Sequence, residues 1–153
     1  MSVKTVEEYF NKNNIDMEIR FFKDTSTVEK AAKSLGVTPG EIAKSLLFKV
    51  RDEYVMILLA GDKKLDNRKF KDTFSCKAKM PDADEVLEVT GHPVGGVCPF
   101  GLKTPLDIYL DESLKAYETI YPAAGDVNAA VAISVDKLAK LTKGHWINVS
   151  KDA

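Results

Sequence analysis

Cysteine and histidine are scarce in this chain of 153 residues, which has two of each. Two cysteines are too few for a disulfide framework and fit a reducing environment. Spacings typical of zinc sites, such as C-x-x-C or H-x-x-x-H, are absent. His92, His145, Cys76 and Cys98 could supply four zinc ligands in number but not at such spacings, so we expect neither a metal nor another cofactor.

The sequence also lacks the short motifs of several common enzyme classes. It contains no G-x-x-x-x-G-K-[ST], G-x-G-x-x-G, H-E-x-x-H or G-x-S-x-G pattern. These absences exclude the usual nucleotide-binding, zinc-protease and serine-hydrolase signatures. Any catalytic function must therefore rest on a different arrangement of residues.

An excess of charge of one sign and long apolar runs are missing as well. The 22 Lys and Arg residues nearly balance 23 Asp and Glu residues, so no overall field attracts the chain to DNA or to an anionic membrane. A nucleic-acid partner would need a local basic patch. No segment approaches the roughly 20 apolar residues that span a bilayer, and the N-terminal stretch lacks a signal-peptide core. We therefore expect a cytoplasmic protein with neither DNA nor a membrane as partner.

Composition and pattern predict one α+β domain over residues 1–153, since 44% of the residues are apolar and no repeat or linker occurs. Helices are expected near the N-terminus, after the capping boxes Ser26/Glu29 and Thr38/Glu41, and at 66–74, 81–90 and 135–143. Strands are expected around 17–21 and at 44–50, 54–60, 105–110, 118–122, 128–134 and 145–149. Because the two types do not alternate strictly, a mixed sheet is favoured, with the hairpin of 44–50 and 54–60 at its centre.

The loop GHPVGGVCPFG, residues 91–101, is unusually rich in glycine and proline. Gly95 and Gly96 permit positive φ and a close approach of the main chain to a ligand, while Pro93 and Pro99 stiffen the flanks. Such a loop can present two N–H groups to an oxygen that becomes negative. The alternative is an ordinary tight turn between two elements.

Lys44 lies where a short helix runs into an apolar strand, in EIAKSLLF. Its stem could simply run along the sheet and carry the ammonium to solvent. If the ammonium instead lies in a cleft beside the glycine-rich loop, it can bind a phosphate, a carboxylate or an ester carbonyl.

Cys98 suggests a rival mechanism, because it lies on the same loop, six residues from His92. A thiol beside a base can act as a nucleophile. Nothing in the sequence predicts a lowered thiol pKa, and a small buried cysteine is a common alternative.

The segment 62–79 has seven basic residues and three acidic ones, which makes it the best candidate for contacting a phosphate backbone. Lysines on an exposed helix often serve solubility alone, and four acidic residues follow directly. The basic residues are Lys63, Lys64, Arg68, Lys69, Lys71, Lys77 and Lys79.

Several segments together resemble the YbaK/ProX-like family of free-standing aminoacyl-tRNA deacylases, which are related to the editing domain of bacterial prolyl-tRNA synthetases. They are TVEKAA (27–32), GVTPGEIAKSLLF (36–48), AGDKKLD (60–66), TGHPVGGVCPFGL (90–102), IYLDESL (108–114) and the stretch 119–134. The combination of I-x-K-[ST]-L-L-F with G-G-V-x-P-F-G is the most specific part. The resemblance implies a mixed, partly barrel-like sheet flanked by helices.

The resemblance also implies a function, the hydrolysis of the ester between a wrong amino acid and tRNA, typically the tRNA for proline. The implied partners are the acceptor end of the mischarged tRNA and prolyl-tRNA synthetase. Lys63, Lys64, Arg68, Lys69 and Lys71 would contact the tRNA. The implied catalytic residues are Lys44, Gly95 and Gly96, and the implied substrate-binding residues are Thr27, Ser45, Val94, Val97, Pro99, Phe100 and Asn128.

Residues 128–130 lack the aspartate that some members of the family have there. The small residues of this stretch, together with Val94 and Val97, suggest a compact pocket for alanine, cysteine, serine or 2-aminobutyrate. Two other functions stay open at this point. One is a non-catalytic module that binds tRNA or a synthetase, and the other is a hydrolase of small esters unrelated to tRNA.

Overall fold

A computed structural model of the chain describes residues 2–22 and 27–153. Its helices and strands follow most of the predicted pattern. The helices are α1 (Ser2–Lys12), α2 (Val28–Leu35), α3 (Asn67–Phe74), α4 (Ala83–Thr90) and α5 (Val135–Thr142), with short 3₁₀ segments at Pro39–Glu41 and Glu112–Ala116. The strands are β1 (Ile19–Phe21), β2 (Ile42–Val50), β3 (Glu53–Ala60), β4 (Lys63–Leu65), β5 (Asp107–Asp111), β6 (Thr119–Pro122), β7 (Ala129–Val131), β8 (Ile133–Ser134), β9 (His145–Ile147) and β10 (Ser150–Asp152).

The hairpin of β2 and β3 lies at the centre of a six-stranded sheet ordered β8-β6-β2-β3-β5-β9. The hairpin is antiparallel, with Leu47 opposite Met56. β6 runs parallel to β2, and β5 and β9 continue in parallel beyond β3. Two small antiparallel pairs, β1 with β7 and β10 with β4, complete the fold. The predicted α+β class with a curled, half-barrel mixed sheet is therefore confirmed.

The apolar run of β3 forms the centre of the sheet because it is buried on both faces. Met56 and Leu58 face the larger core, which also contains residues of α1 and α5. Ile57 and Leu59 face a second core closed by Phe70 of α3. A strand covered on both sides has no polar alternation, which explains the continuous apolar stretch in the sequence.

Side-chain caps set the predicted helix starts. The carboxylate of Asp66 accepts hydrogen bonds from the amides of Arg68 and Lys69 at the start of α3. The Thr38 amide donates to Glu41 at 2.9 Å, as the second predicted capping box requires. For the first box, Ser26 lies outside the described residues, and the side chain that caps α2 is Thr27, whose Oγ1 accepts from the Lys30 amide at 3.1 Å.

Two strand predictions need correction. The single strand predicted at 128–134 is divided into β7, which pairs with β1, and β8, which pairs with β6, because the chain changes partners between them. The last strand ends at Ile147, and β10 follows it to pair with β4. β4 and β10 are only three residues long and largely polar, so they carry no apolar alternation that would predict them.

Candidate active site

A cavity of about 270 Å³ lies between α2, β2, the glycine-rich loop and residues 121–130. Lys44 and Ser45 line it from β2, and Gly95 lines it from the loop. Ligand sites for small molecules usually enclose roughly 300–1,000 Å³. The cavity is therefore suited to a ligand about the size of an amino acid rather than a dinucleotide.

The ammonium of Lys44 is held at one side of this cavity by the turn that follows β3. Its Nζ donates to the main-chain carbonyl of Lys63. Burial lowers the pKa of Lys44, while the nearby carboxylates of Asp62 and Glu29 oppose that shift. The ammonium is thus partly withdrawn from solvent, and the simple alternative of a lysine reaching out to water does not describe it.

The turn between β3 and β4, residues 61–62, approaches β2 closely because residue 61 is glycine. A Cβ at Gly61 would lie 2.1 Å from the Pro39 carbonyl oxygen and 2.9 Å from that of Ile42. Since such contacts are impossible for a real side chain, glycine at this position allows the Lys63 carbonyl to reach Lys44.

The glycine-rich loop presents a tight β-turn of residues 93–96 to the cavity. The Gly96 amide donates to the Pro93 carbonyl at 2.8 Å, and Gly95 has φ of 95°. A positive φ at the third residue is what a type II turn requires. The Gly96 amide is therefore engaged inside the turn, which differs from the hypothesis of two donor amides. The Gly95 amide donates to no main-chain carbonyl within residues 2–22 and 27–153.

Gly96 has a packing role that only glycine can fill. Its carbonyl accepts from the Gly125 amide at 3.0 Å, and a Cβ on Gly96 would lie 2.5 Å from the Asp126 main-chain nitrogen. The turn is therefore packed directly against the main chain of residues 125–126, which fixes its position relative to the cavity.

The hydroxyl of Ser45 is buried in the wall of the cavity without a hydrogen-bond partner. It is the one buried side-chain nitrogen or oxygen in the described part of the chain that lacks a partner. Leaving such a group unpaired costs roughly 1–3 kcal/mol.

The structure brings together some of the predicted substrate-binding residues and separates others. Thr27, Val94 and Val97 line the cavity with Ser45, whereas Pro99, Phe100 and Asn128 do not. Phe100 is fully buried in the core, with its ring 5.0 Å from that of Phe10. The Phe100 side chain thus anchors the loop to the core and does not line the cavity.

Most of the residues in the cavity wall that the motifs did not predict are aliphatic. Val28, Ala31 and Leu35 of α2 line the cavity, as do Ala129 and Ala130 of β7. The helical spacing of 28, 31 and 35 marks an apolar face, but the sequence alone does not distinguish a face against the core from one against a cavity.

Cys98 and His92 are close together but are unsuited to nucleophilic chemistry. The Sγ of Cys98 lies 3.6 Å from Nε2 of His92, and both residues are fully buried and absent from the cavity wall. Burial raises the pKa of the Cys98 thiol to about 12. The Nε2 of His92 also donates to the Phe100 carbonyl at 2.7 Å, so it cannot accept the thiol proton. The structure gives no support to a thiol mechanism.

The basic residues of segment 62–79 include some that bind other parts of the chain and some that are exposed. Lys63 forms an ion pair with Asp152, and Lys69 Nζ donates to the Ser150 carbonyl at 2.7 Å. These two cations therefore attach the C-terminal strand β10. Lys64, Arg68 and Lys71 are exposed and directed to solvent.

The described part of the chain contains neither a cluster of metal ligands nor a membrane-spanning helix. Within residues 2–22 and 27–153, no three His, Cys, Asp or Glu side chains come together as metal ligands would. None of the helices in the described part of the chain combines the length and apolar character needed to cross a bilayer.

Comparison with known proteins gives consistent matches. The family model of the aminoacyl-tRNA editing domain matches residues 23–141. YwhH of Bacillus subtilis (strain 168) is 44% identical over 155 residues, covering 99% of both chains. The proline–tRNA ligase of Bacillus licheniformis is 32% identical over 130 residues, which cover 83% of this chain and 20% of the ligase. A crystal structure of a candidate trans-editing enzyme for prolyl tRNA synthetase has a TM-score of 0.92 at 28% identity and covers 98% of this chain and 97% of that one.

Proposed function

The chain belongs to the aminoacyl-tRNA editing domain family, and from this membership we propose that it is a trans-editing deacylase, which hydrolyses the ester of a mischarged tRNA. The observation that carries the proposal is one cavity whose wall includes Lys44 and Ser45 of β2 and the Gly95 turn. Similarity to proline–tRNA ligases supports tRNA for proline as the substrate and prolyl-tRNA synthetase as a partner.

Hydrolysis of an aminoacyl ester needs little catalytic assistance from the protein because the ester is already activated. Water, or a hydroxyl or thiol of the substrate itself, would attack the carbonyl once the two are aligned. An ammonium has three N–H donors, so the bond from Lys44 to the Lys63 carbonyl leaves two for the end of the tRNA. The Gly95 amide would donate to the carbonyl oxygen as it becomes negative.

The cavity wall favours small amino acids with little polarity. Alanine and other aliphatic side chains dominate it, and none of the described residues that line it is acidic. We propose alanine, cysteine, serine or 2-aminobutyrate as the amino acid that is removed. An apolar pocket discriminates one methylene by about 1–3 kcal/mol, so several of these would be accepted.

The exposed cations of the basic segment would bind the tRNA backbone next to the cavity. Lys64 lies on β4 beside Lys63, whose carbonyl holds Lys44, and Arg68 and Lys71 follow on α3. One tRNA would then contact this surface through its phosphates while its acceptor end enters the cavity.

Deacylation of tRNA(Pro) charged with each of the four amino acids tests the proposal. Lys44→Ala should lower the rate by about 100-fold or more, the usual effect of losing one electrostatic contact to the transition state. Lys49→Ala is the matched control, since Lys49 lies on the same strand and packs over Tyr54 outside the cavity.

Three results would contradict the proposal. An unchanged rate in Lys44→Ala would remove Lys44 from the site. Binding of charged tRNA without turnover on any amino acid would indicate a non-catalytic module. Turnover of small esters that is indifferent to added tRNA and to salt would indicate an unrelated hydrolase.

A further inference from the structure

The proposed function makes no use of the buried imidazole of His92. His92 follows the end of α4 and begins the glycine-rich loop, and its side chain is fully buried. Its Nε2 is 2.7 Å from the Phe100 carbonyl oxygen, and its Nδ1 is 2.5 Å from the Ser2 hydroxyl at the start of α1. The imidazole thus joins the two ends of the loop to each other and to the N-terminal helix.

These partners fix the proton on one ring nitrogen. A carbonyl oxygen can only accept, so Nε2 must carry the hydrogen. Nδ1 is then the acceptor, and the Ser2 hydroxyl donates to it. The neutral ring with hydrogen on Nε2 satisfies both contacts.

The surroundings favour the neutral ring. Burial lowers the pKa of His92, and the bond to the Phe100 carbonyl opposes that shift. The titratable group in contact with the ring, among the described residues, is the Cys98 thiol, which stays protonated because burial raises its pKa to about 12.

A second set of bonds closes the base of the loop beside His92. The Lys103 amide donates to the Thr90 carbonyl at 3.1 Å, and the His92 amide donates to the Thr90 hydroxyl at 3.0 Å. Above this closed base, Val94, Gly95 and Val97 are the residues of the loop that line the cavity. The direction of the turn therefore depends on how the base is held.

We propose that His92 is a positioning residue, an imidazole with hydrogen on Nε2, which fastens both ends of the glycine-rich loop to α1 and so holds the Gly95 turn at the cavity. It does not touch the substrate. The kinetic part of the test rests on the proposed deacylase function, while the spectroscopic and exchange parts do not.

Nitrogen NMR of ring-labelled protein between pH 5 and 8 tests the protonation state. The neutral His92 ring should carry its hydrogen on Nε2, and Ser2→Ala should change the Nδ1 signal selectively. His145 provides the other set of ring signals, from an exposed imidazole. A neutral His92 ring with hydrogen on Nδ1, or an Nδ1 signal that Ser2→Ala leaves unchanged, would overturn the proposal.

A pair of substitutions tests the positioning role. In His92→Gln the amide nitrogen can occupy the place of Nε2 and keep the bond to the Phe100 carbonyl, whereas the shorter side chain of His92→Asn cannot. His92→Asn should therefore lower kcat by about tenfold or more with little change in KM, and His92→Gln should recover much of the loss. His145→Gln is the control. Equal kcat in His92→Asn and the wild-type protein would refute the role.

Hydrogen exchange separates this inference from the proposed function. The Gly96 amide should exchange about tenfold faster in His92→Asn, while amides of α5 should be unaffected. If the wild-type protein shows no deacylation, the proposed function fails, but unchanged exchange at Gly96 would still refute the inference, and faster exchange would still support it.

Discussion

Replacing Asp111 with alanine should remove the acceptor that fastens the C-terminal segment to the central sheet. Asp111 ends β5 and is fully buried. Its carboxylate accepts from the Val149 amide at 2.8 Å, from the Ser113 amide at 3.0 Å and from the Ser150 hydroxyl at 2.7 Å. Alanine would leave all three donors without their acceptor, and the Val149 amide would be left in a fully buried residue.

The size of the effect follows from these contacts. Each hydrogen bond to a charged group contributes about 1.5–3 kcal/mol. The buried carboxylate itself costs several kcal/mol of desolvation, which alanine removes. We expect a net loss of about 3–5 kcal/mol in the free energy of unfolding, a large part of the roughly 5–15 kcal/mol typical of a domain.

The loss should also depend on pH. Burial alone would raise the pKa of Asp111, but hydrogen bonds from Ser113, Ser150 and Val149 outweigh it and hold the pKa below its ordinary value. The carboxylate therefore stabilises the fold above the ordinary pKa of aspartate, about 3.9, and this contribution disappears as pH falls through the lower folded value. The difference between wild type and Asp111→Ala should shrink over that interval.

Urea unfolding at pH 7 and at several values below 4 measures both effects. Asp72→Ala, which removes an exposed carboxylate on α3, is the control and should change stability by less than about 0.5 kcal/mol. A loss below about 1 kcal/mol for Asp111→Ala at pH 7, or a loss that is the same at every pH, would show that the three bonds do not stabilise the fold as argued.

Other substitutions test the loop, the thiols and the basic surface. Gly96→Ala should destabilise the fold by about 1–3 kcal/mol in urea unfolding and reduce deacylation, because its Cβ would collide with the main chain at Asp126; unchanged stability and rate would contradict the packing. In native protein a thiol reagent should modify the half-exposed Cys76 and spare Cys98, and Cys98→Ala should keep full deacylation; loss of activity would revive the thiol mechanism. Lys64→Ala and Arg68→Ala should each weaken tRNA binding and reduce the slope of log affinity against log salt by about 1, and an unchanged slope would place the tRNA elsewhere.

Local signals in the sequence predicted most of the fold. The apolar segments 44–50 and 54–60 predicted a hairpin at the centre of the sheet, and the structure confirms it. The helices predicted at 66–74 and 81–90 begin at side-chain caps, Asp66 and Asp82, and such a cap acts within one turn of the chain. The glycine and proline content of residues 91–101 indicated a constrained loop for the same local reason.

The site could be predicted only in part. Lys44, Ser45 and Gly95 came from the motif, and the structure places all three around one cavity. The sequence could not show that the Gly96 amide is used inside its own turn, because that depends on the conformation of residues 93–96 rather than on their identity.

The sequence by itself determined the helices, the central hairpin and the position of the glycine-rich loop, because each depends on residues that are neighbours along the chain. Only the tertiary structure decided which residues far apart in the sequence come into contact. Lys63 is paired with Asp152, Lys69 with Ser150, and His92 with Ser2, partners 81 to 90 residues apart. Such contacts depend on how distant segments pack together, and burial then decides the chemistry, leaving Cys98 inert and the Ser45 hydroxyl without a partner.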